Sequence, residues 1–269
     1  MIKQRLLTAL VLGVIVLAGV FLLPLQGFAL GCALVMLLAA LEWANLCTLS
    51  GVLKWLYAAV ATGLIALIYY LVPAELNVWL LAAAGLFWLW GCYLILNYPS
   101  NTGFSARTVK LLIGVAVVVP TWVALVALKA LPEGDFALLM LLLLVWGADT
   151  GAYCAGKLFG RHKLIPGVSP GKTLEGLAGG VLTCLLIGAI AGFWRELPAP
   201  ALVYLMALSL LTCLAAVFGD LFESMFKRER GIKDSGRLLP GHGGVLDRID
   251  SLTAAAPIFM LGLYWAPAI

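Results

Sequence analysis

The sequence predicts an all-α polytopic integral membrane protein with about nine transmembrane helices and a cytoplasmic N-terminus. Three observations lead to this fold class. The 269 residues are 64% hydrophobic and only 11% charged, with a mean hydropathy of +1.08, whereas soluble domains carry about 25% charged residues. Nine apolar stretches are long enough to cross a bilayer. The positive charges divide unevenly between the segments that join these stretches.

Short polar segments separate the apolar stretches, and a transmembrane helix needs about 20 residues. The approximate bounds are 6–23, 28–47, 53–72, 78–97, 110–129, 136–156, 174–194, 201–221 and 251–267. The first stretch follows Lys3 and Arg5 and imitates a secretory signal, but it is long for one and further spans follow it. We interpret it as a retained transmembrane helix. We expect a single membrane domain, 1–269, in which 1–130 is mainly scaffold and 136–269 is the functional half.

Lysine and arginine lie mostly on one side of the predicted topology. If the chain starts in the cytoplasm and crosses nine times, 15 of its 17 basic residues face the cytoplasm, and only Lys129 and Arg195 lie opposite. Positive residues favour the cytoplasmic side of membrane proteins, so this division supports both the number of spans and the orientation. Two polar loops, 157–173 and 222–250, then face the cytoplasm. We expect a multi-pass protein of the cytoplasmic (inner) membrane with these loops facing the cytoplasm.

Acidic residues occur at or near membrane depth. They are Glu42, Asp149, Glu175, Asp220, Asp247 and Asp250. A carboxylate there faces a cavity, holds an ion or pairs with a base, and a structural ion pair is the alternative for each one alone. Asp220 ends the eighth span and Asp247 opens the ninth, so two facing helix ends would bring them together. Paired carboxylates with phosphate oxygens usually hold Mg²⁺, which predicts a Mg²⁺ site here. Glu223 and Asp250 could instead orient the basic residues.

The segment 224–250 combines cations with a glycine-rich run. Its cations include Lys227, Arg228, Lys233, Arg237 and Arg248. Arginine binds a phosphate through two N–H groups, and lysine supplies a point charge. Adhesion to anionic lipid is the alternative, but it leaves the run from Pro240 to Gly244 unexplained. Gly243 and Gly244 allow backbone N–H groups to cradle an anion. His242 could contact phosphate, shuttle a proton or simply hydrogen-bond within the loop.

The other basic loop leads into the seventh span. Ser169, Lys172, Thr173 and Glu175 lie where the loop becomes a helix, a position that can bind an anion. Small residues four apart, Gly147 with Gly151 and Gly176 with Gly180, are typical of closely packed helices. Asp149 would then face a tightly packed interior from which it could reach either loop.

Together these features indicate phosphoryl or nucleotidyl transfer to a lipid. A soluble nucleotide would enter from the cytoplasm, and the lipid would enter sideways between helices. A transporter for a phosphorylated solute is the main alternative, but it predicts charge along a path and often an inverted repeat. A structural membrane protein would have little use for the Gly-His-Gly-Gly run.

The segment 224–250 resembles the signature of the phosphatidate cytidylyltransferases (CDP-diacylglycerol synthases), S-x-x-K-R-x4-K-D-x-G-x2-L-P-x-H-G-G-x2-D-R-x-D. The matching residues are Ser224, Lys227, Arg228, Lys233, Asp234, Gly236, Leu239, Pro240, His242, Gly243, Gly244, Asp247, Arg248 and Asp250. The match has no gap. The Ser-Pro-Gly-Lys-Thr-x-Glu segment that starts at Ser169 and the pair Glu42-Trp43 also look like family elements.

The resemblance implies transfer of CMP from CTP to phosphatidate, giving CDP-diacylglycerol and pyrophosphate in phospholipid biosynthesis. It implies Mg²⁺ held by Asp220 and Asp247, alone or with a monovalent cation. The residues implied in catalysis are Asp220, Asp247, Lys227, Arg228 and His242. Those implied in substrate binding are Ser169, Lys172, Thr173, Glu175, Ser224, Lys233, Asp234, Gly243, Gly244, Arg248, Asp250 and Asp149.

The expected partners are CTP, phosphatidate and the lipid bilayer, and no nucleic acid. The small-residue helix faces would permit a homodimer. A CTP-dependent lipid-alcohol kinase is a second enzymatic alternative, which would transfer the γ-phosphate and release CDP.

Overall fold

The fold is a bundle of helices with one short hairpin. The computed structural model describes residues 2–100, 103–239, 241 and 243–266, with side chains from Thr8 onward. Within this part of the chain there are nine α-helices: α1 (Ile2–Leu22), α2 (Leu25–Leu46), α3 (Gly51–Leu71), α4 (Asn77–Leu96), α5 (Arg107–Lys129), α6 (Gly134–Phe159), α7 (Leu174–Trp194), α8 (Ala199–Arg230) and α9 (Leu246–Tyr264). A 3₁₀ turn, Ala74–Leu76, precedes α4, and strands β1 (Lys163–Ile165) and β2 (Ser169–Thr173) separate α6 from α7. The predicted helical membrane fold is confirmed.

Seven of the described helices, α2 to α8, are long and apolar enough to cross a membrane. The described part of α1 from Thr8 to Leu22 is apolar but shorter, and α9 begins with the charged residues Asp247, Arg248 and Asp250. Large apolar side chains on α3, α4 and α7 point away from the bundle, where lipid would cover them. They include Leu53, Trp55, Leu67, Leu86, Leu89, Leu186 and Ile190.

α5 is the most buried of the seven candidate spans and packs against helices on several sides, including α2, α4 and α9. Two indole groups fasten α2 to it. Trp43 Nε1 donates to the carbonyl of Lys110 at 2.8 Å, and Trp122 Nε1 donates to the carbonyl of Ala29 at 2.9 Å. Gly114 leaves the space that the Trp43 ring occupies. α2 is therefore held in one position relative to α5 near both of its ends.

α8 ends at Arg230, whereas the sequence predicted a loop from 222. Its 32 residues extend over about 48 Å at 1.5 Å per residue, more than the roughly 30 Å of a hydrocarbon core. The added turns are helical because Phe222 and Phe226 are buried in an aromatic cluster, with Phe226 5.0 Å from Trp43 and Phe222 5.2 Å from Trp88 between ring centroids. Gly231, at φ 71°, ends the helix in the left-handed conformation that glycine tolerates.

The predicted loop 157–173 contains the end of α6 and a β-hairpin. β1 and β2 are antiparallel, with Lys163 opposite Thr173 and Ile165 opposite Ser169. Thr173 also caps α7, because its Oγ1 accepts the N–H of Gly176 at 3.1 Å. The hairpin therefore fixes the residues just before α7.

α6 and α7 pack at backbone distance through their glycines. A Cβ on Gly151 would lie 2.6 Å from the carbonyl oxygen of Gly179, and one on Gly180 would lie 2.9 Å from that of Ala148. The predicted close packing is confirmed, and it is made within one chain. It brings Asp149 on α6 beside the hairpin that precedes α7.

Candidate active site

A cavity of about 390 Å³ opens between α6, the hairpin, α7 and α8. Lys172, from β2, reaches into it and places Nζ 2.8 Å from Asp220 Oδ2 and 3.4 Å from the carbonyl of Val217. Ser224, one turn after Asp220, donates to its Oδ1 at 3.2 Å. Asp149 lines the same cavity. The loop before α7 thus contributes Lys172 to the cavity, and α8 contributes Asp220, which lies just before the segment 224–250.

A buried lysine joins α8 to the start of α9. Lys227 Nζ lies 3.0 Å from Glu223 Oε2 and 2.8 Å from Asp247 Oδ1, and the residue is 8% exposed. Burying such charges is costly unless each has a partner in good geometry. Lys227 meets that condition with two carboxylates, and it therefore fixes the relative position of the two helix ends.

Asp247 is also the hydrogen-bond acceptor for the backbone of the loop before α9. The N–H of Ser235 lies 2.9 Å from its Oδ2 and 3.2 Å from its Oδ1, and the N–H of Gly244 donates to Oδ2 at 2.8 Å. With Lys227, these donors occupy both oxygens. Asp220 differs, because its two oxygens meet one lysine and one hydroxyl.

Glu42 reaches the same loop from α2. Its carboxylate is 8% exposed and accepts hydrogen bonds from the N–H of Val245 at 3.0 Å, the N–H of Leu246 at 2.7 Å and Oγ of Ser235 at 3.0 Å. These N–H groups belong to the first turn of α9, which has no intrahelical acceptor for them. Glu42 therefore caps α9 from more than 200 residues away and holds both ends of the loop 235–247.

The acidic groups outnumber the cations that face them. Asp250 lies in electrostatic contact with Asp220, Glu223 and Lys227, and Oε1 of Glu223 is buried without a hydrogen-bond partner among the described residues. In the described part of the chain, no group of three or more His, Cys, Asp or Glu residues is arranged to hold a metal ion. Mg²⁺, however, commonly takes only one or two carboxylates and completes its shell with water and substrate phosphates.

A larger cleft, of about 750 Å³, lies between the α2–α3 hairpin and the segment 232–238. We name it the cation cleft, because Lys54, Lys233 and Arg237 line it together with Asp234. Ser235 belongs to its wall and also donates to Asp247. The cation cleft therefore adjoins the charged cluster at the start of α9.

Comparison with known proteins adds to this geometry. The sequence model of the group described as "Cytidylyltransferase family" matches residues 3–265. The chain belongs to the cytidylyltransferase family. A phosphatidate cytidylyltransferase of Pseudomonas aeruginosa is 45% identical over 268 residues, covering 99% of this chain and 98% of that protein. One of Haemophilus influenzae is 37% identical over 281 residues, covering 96% and 97%. One of Bacillus subtilis is 44% identical over 122 residues, covering 45% of each chain.

Several of the predicted site residues of this cytidylyltransferase shape the backbone around the site. Glu175 accepts the N–H groups of Arg161 and His162 at 3.0 and 3.2 Å and lies 2.6 Å from His162 Nδ1. Arg228 Nε donates to the carbonyl of Val168 at 3.1 Å, which fastens α8 to the hairpin. Gly243, at φ 83°, pairs with Leu239 across the loop.

The remaining predicted residues fall into different parts of the site. Ser169 begins β2, Thr173 caps α7, and Arg248 is exposed at the start of α9 within electrostatic range of Asp149. Lys233 and Asp234 line the cation cleft. His242 lies outside the described residues, so its role stays a prediction.

Sequence analysis missed the contribution of two residues to this cytidylyltransferase site. Glu42 is an acid at membrane depth within the segment 1–130, which the sequence predicts to be mainly scaffold, and Ser235 occupies a variable position of the signature. The available signal for Glu42 was its charge within an otherwise apolar span. Its partners are mainly backbone N–H groups, which no side-chain pattern reveals.

Proposed function

We propose that this cytidylyltransferase is a phosphatidate cytidylyltransferase, which transfers CMP from CTP to phosphatidate and forms CDP-diacylglycerol and pyrophosphate. One observation carries the proposal. A protein of that name is 45% identical over 98% of its own length, and this alignment covers 99% of the present chain. The alignment therefore includes both polar loops, 157–173 and 222–250.

The proposed reaction is an in-line displacement at the α-phosphorus of CTP. A phosphate oxygen of phosphatidate forms the new P–O bond, and the bond to the bridging oxygen of the β-phosphate breaks, so pyrophosphate leaves with that electron pair. The attacking phosphate is already ionised at neutral pH, and no general base is required. Lys172 and Arg248 would offset the charge that grows on the transferring and leaving groups, while Lys227 holds the two helix ends in register.

We propose Mg²⁺ as the cofactor, alone or with a monovalent cation. The chemistry of the donors fits a divalent ion, because the carboxylates Asp149, Asp220, Glu223, Asp247 and Asp250 exceed the cations beside them. Asp220 is the better placed of the two predicted ligands. Asp247 already accepts three N–H donors, so it would have to exchange Lys227 to take part. When bound, the ion would neutralise charge on the phosphates of CTP.

We further propose that the site faces the cytoplasm from the inner membrane. The charge asymmetry of the sequence supports this orientation. The two cations assigned to the opposite side are both neutralised locally, Lys129 by Asp135 and Arg195 by Glu133. Arg195 hydrogen-bonds to Glu133 and holds the pKa of that carboxyl below its ordinary value. A homodimer would be compatible with this arrangement.

The test is turnover by the detergent-purified full chain with Mg²⁺, phosphatidate and CTP labelled in its cytosine ring. The proposal expects label to move into lipid, with one pyrophosphate released for each lipid labelled. Label that remains in water-soluble CDP would identify a kinase instead. A folded protein that consumes no CTP would contradict cytidylyl transfer and favour the transporter.

The metal proposal has its own assay. Asp220→Ala is expected to abolish turnover while the protein remains folded, and chelation of divalent ions should silence the wild type reversibly. An Asp220→Ala variant with full activity at the Mg²⁺ concentration that suffices for the wild type would argue against Asp220 as a ligand, whereas recovery only at raised Mg²⁺ would support it.

A further inference from the structure

We propose that the cation cleft binds the phosphomonoester headgroup of the acceptor lipid, which reaches it from the bilayer. This inference rests on the proposed function and deepens it, because it assigns one of the two substrates to a cleft distinct from the Lys172–Asp220 cavity. Four observations carry it: the state of the cations, the depth of the apolar wall, the size of the cleft and its position beside Asp247.

The cations of the cleft have no side-chain partner in the described part of the chain. Among the described residues, none hydrogen-bonds or forms an ion pair with the side chain of Lys54, Lys233 or Arg237. By contrast, Lys172 and Lys227 each sit within 3 Å of a carboxylate. Three uncompensated cations around one cleft favour a ligand with more than one negative charge, and arginine is suited to contact two phosphate oxygens at once.

The acids that line the cleft do not remove this surplus. Glu42 has its carboxylate committed to three hydrogen bonds with the loop, and Asp234 is the other acid in the lining. The cleft therefore keeps a net positive charge. Three cations and two carboxylates give a formal net charge of +1, which is opposite in sign to the roughly two negative charges that a phosphomonoester carries near neutral pH.

The wall of the cleft is apolar on the membrane side. Leu38 and Leu41 contribute to it from α2, a helix long and apolar enough to span the bilayer. Leu38 lies seven residues before Asn45, which also lines the cleft, so the wall descends about 10 Å along the helix axis at 1.5 Å per residue. A cleft with cations at one end and leucine side chains at the other suits a lipid with a charged headgroup better than a free nucleotide.

Size and position agree with this ligand. About 750 Å³ falls within the roughly 300–1,000 Å³ of small-molecule sites. Ser235 is common to the cleft and to the hydrogen bonds of Asp247, so a headgroup held in the cleft lies against the loop that carries Gly243 and Gly244. An acceptor bound there would approach the loop from the α2 side.

The experiment measures lipid binding in the absence of CTP, so that it does not depend on turnover. Full-length protein in a non-ionic detergent is titrated with short-chain phosphatidate, for the wild type, Lys54→Gln and Arg237→Gln. The matched controls are Lys163→Gln and Arg230→Gln, which remove exposed cations outside the cleft. Each cleft variant is expected to weaken phosphatidate binding about tenfold, the size of one lost charged hydrogen bond, and the controls should leave it unchanged.

Kinetics then assign the substrate. The KM for phosphatidate should rise about tenfold in the cleft variants, while the KM for CTP stays at its wild-type value. Unchanged phosphatidate affinity in both cleft variants, or a rise in the KM for CTP alone, would overturn the proposal. Thermal unfolding of each variant verifies that the protein is folded, and binding is scored only against the fraction that is.

Two competitors test whether the cleft recognises the phosphomonoester of a lipid, free phosphate or any anionic lipid. Inorganic phosphate should displace phosphatidate only at much higher concentration, and phosphatidylglycerol, a phosphodiester, should compete weakly. Equal competition by phosphatidylglycerol would show a general anionic-lipid surface and refute the acceptor assignment. Intact phosphatidate binding without any transfer of CMP would contradict the proposed function and leave the lipid site standing.

Discussion

Replacing Glu42 by glutamine tests whether a remote carboxylate organises the active-site loop. The native side chain accepts hydrogen bonds from two backbone N–H groups and one hydroxyl, at 3.0, 2.7 and 3.0 Å. Glutamine has nearly the same shape but no charge. Only one of its terminal atoms accepts, and its NH₂ would face a donor where an acceptor stood.

The size of the effect follows from these contacts. Hydrogen bonds to a charged group contribute about 1.5–3 kcal/mol each, and a buried N–H left without a partner costs about 1–3 kcal/mol. Allowing for one retained bond, Glu42→Gln should destabilise the protein by about 3–5 kcal/mol. At about 2–4 °C per kcal/mol, the Tm should fall by roughly 6–20 °C. Displacement of the loop by an ångström would lower kcat about 100-fold.

The assay follows the Tm in detergent and the initial rate of CTP consumption at a temperature well below both unfolding transitions. Glu229→Gln is the matched control, because Glu229 makes a partly exposed ion pair with Lys110 at 2.9 Å, and such pairs contribute about 0–1 kcal/mol. If Glu42→Gln kept the wild-type Tm and kcat, the capping role of Glu42 would be refuted. A fall equal to that of Glu229→Gln would refute it as well.

Three further predictions concern the loop and its partners. Gly244→Ala would place a Cβ 2.5 Å from Oγ of Ser235 and should cost about 1–3 kcal/mol, seen as a lower Tm together with a lower kcat; an unchanged Tm would contradict the close approach. Lys227→Met leaves two buried carboxylates without their cation and should destabilise the protein by about 3–5 kcal/mol. Thermal unfolding measures this loss, and a rise in Tm would show that the ion pairs are not needed for folding. Asp220→Asn preserves shape but removes the charge opposite Lys172, and turnover should fall at least about 100-fold with the Tm nearly unchanged; a kcat within a few-fold of wild type would exclude a direct role.

Much of the fold follows from hydropathy. The apolar stretches from the second to the seventh agree with α2–α7 within a few residues, because a bilayer-spanning helix needs a long run of apolar side chains and little else. The small residues around Asp149 correctly predicted close packing of α6 on α7, since backbone contact requires the absence of side chains.

The helix end and the hairpin that the sequence did not predict lie where side chains pack against protein instead of lipid. α8 continues past 221 because its polar residues are good helix formers and Phe222 and Phe226 pack into the aromatic cluster. A hydropathy pattern registers only the charged residues of this segment and therefore ends the span too early. The hairpin escaped notice because its strands have three and five residues, too few for an alternating pattern to be recognised.

The candidate site was predicted as a set of residues but not as an arrangement. The signature contains Lys227 and Asp247, which form an ion pair in the structure, and Asp220 lies four residues before its first residue. The signature could not predict that Lys172 pairs with Asp220 while Lys227 pairs with Asp247, because those pairs depend on how far α8 extends and where the hairpin lies. Nor could it predict the hydrogen bonds from Glu42 to Val245, which join positions 203 residues apart.

The distance in sequence between Glu42 and its partners bears on how the enzyme is made. During synthesis α2 is made long before α9. The Glu42 carboxylate can therefore accept hydrogen bonds from the N–H groups of Val245 and Leu246 only after α9 has been made. α9 in turn carries charges that disfavour spontaneous insertion, and it gains acceptors for its first turn only by docking against the finished bundle. Ordering of the loop 235–247 and docking of α9 against α2 are therefore expected to occur together.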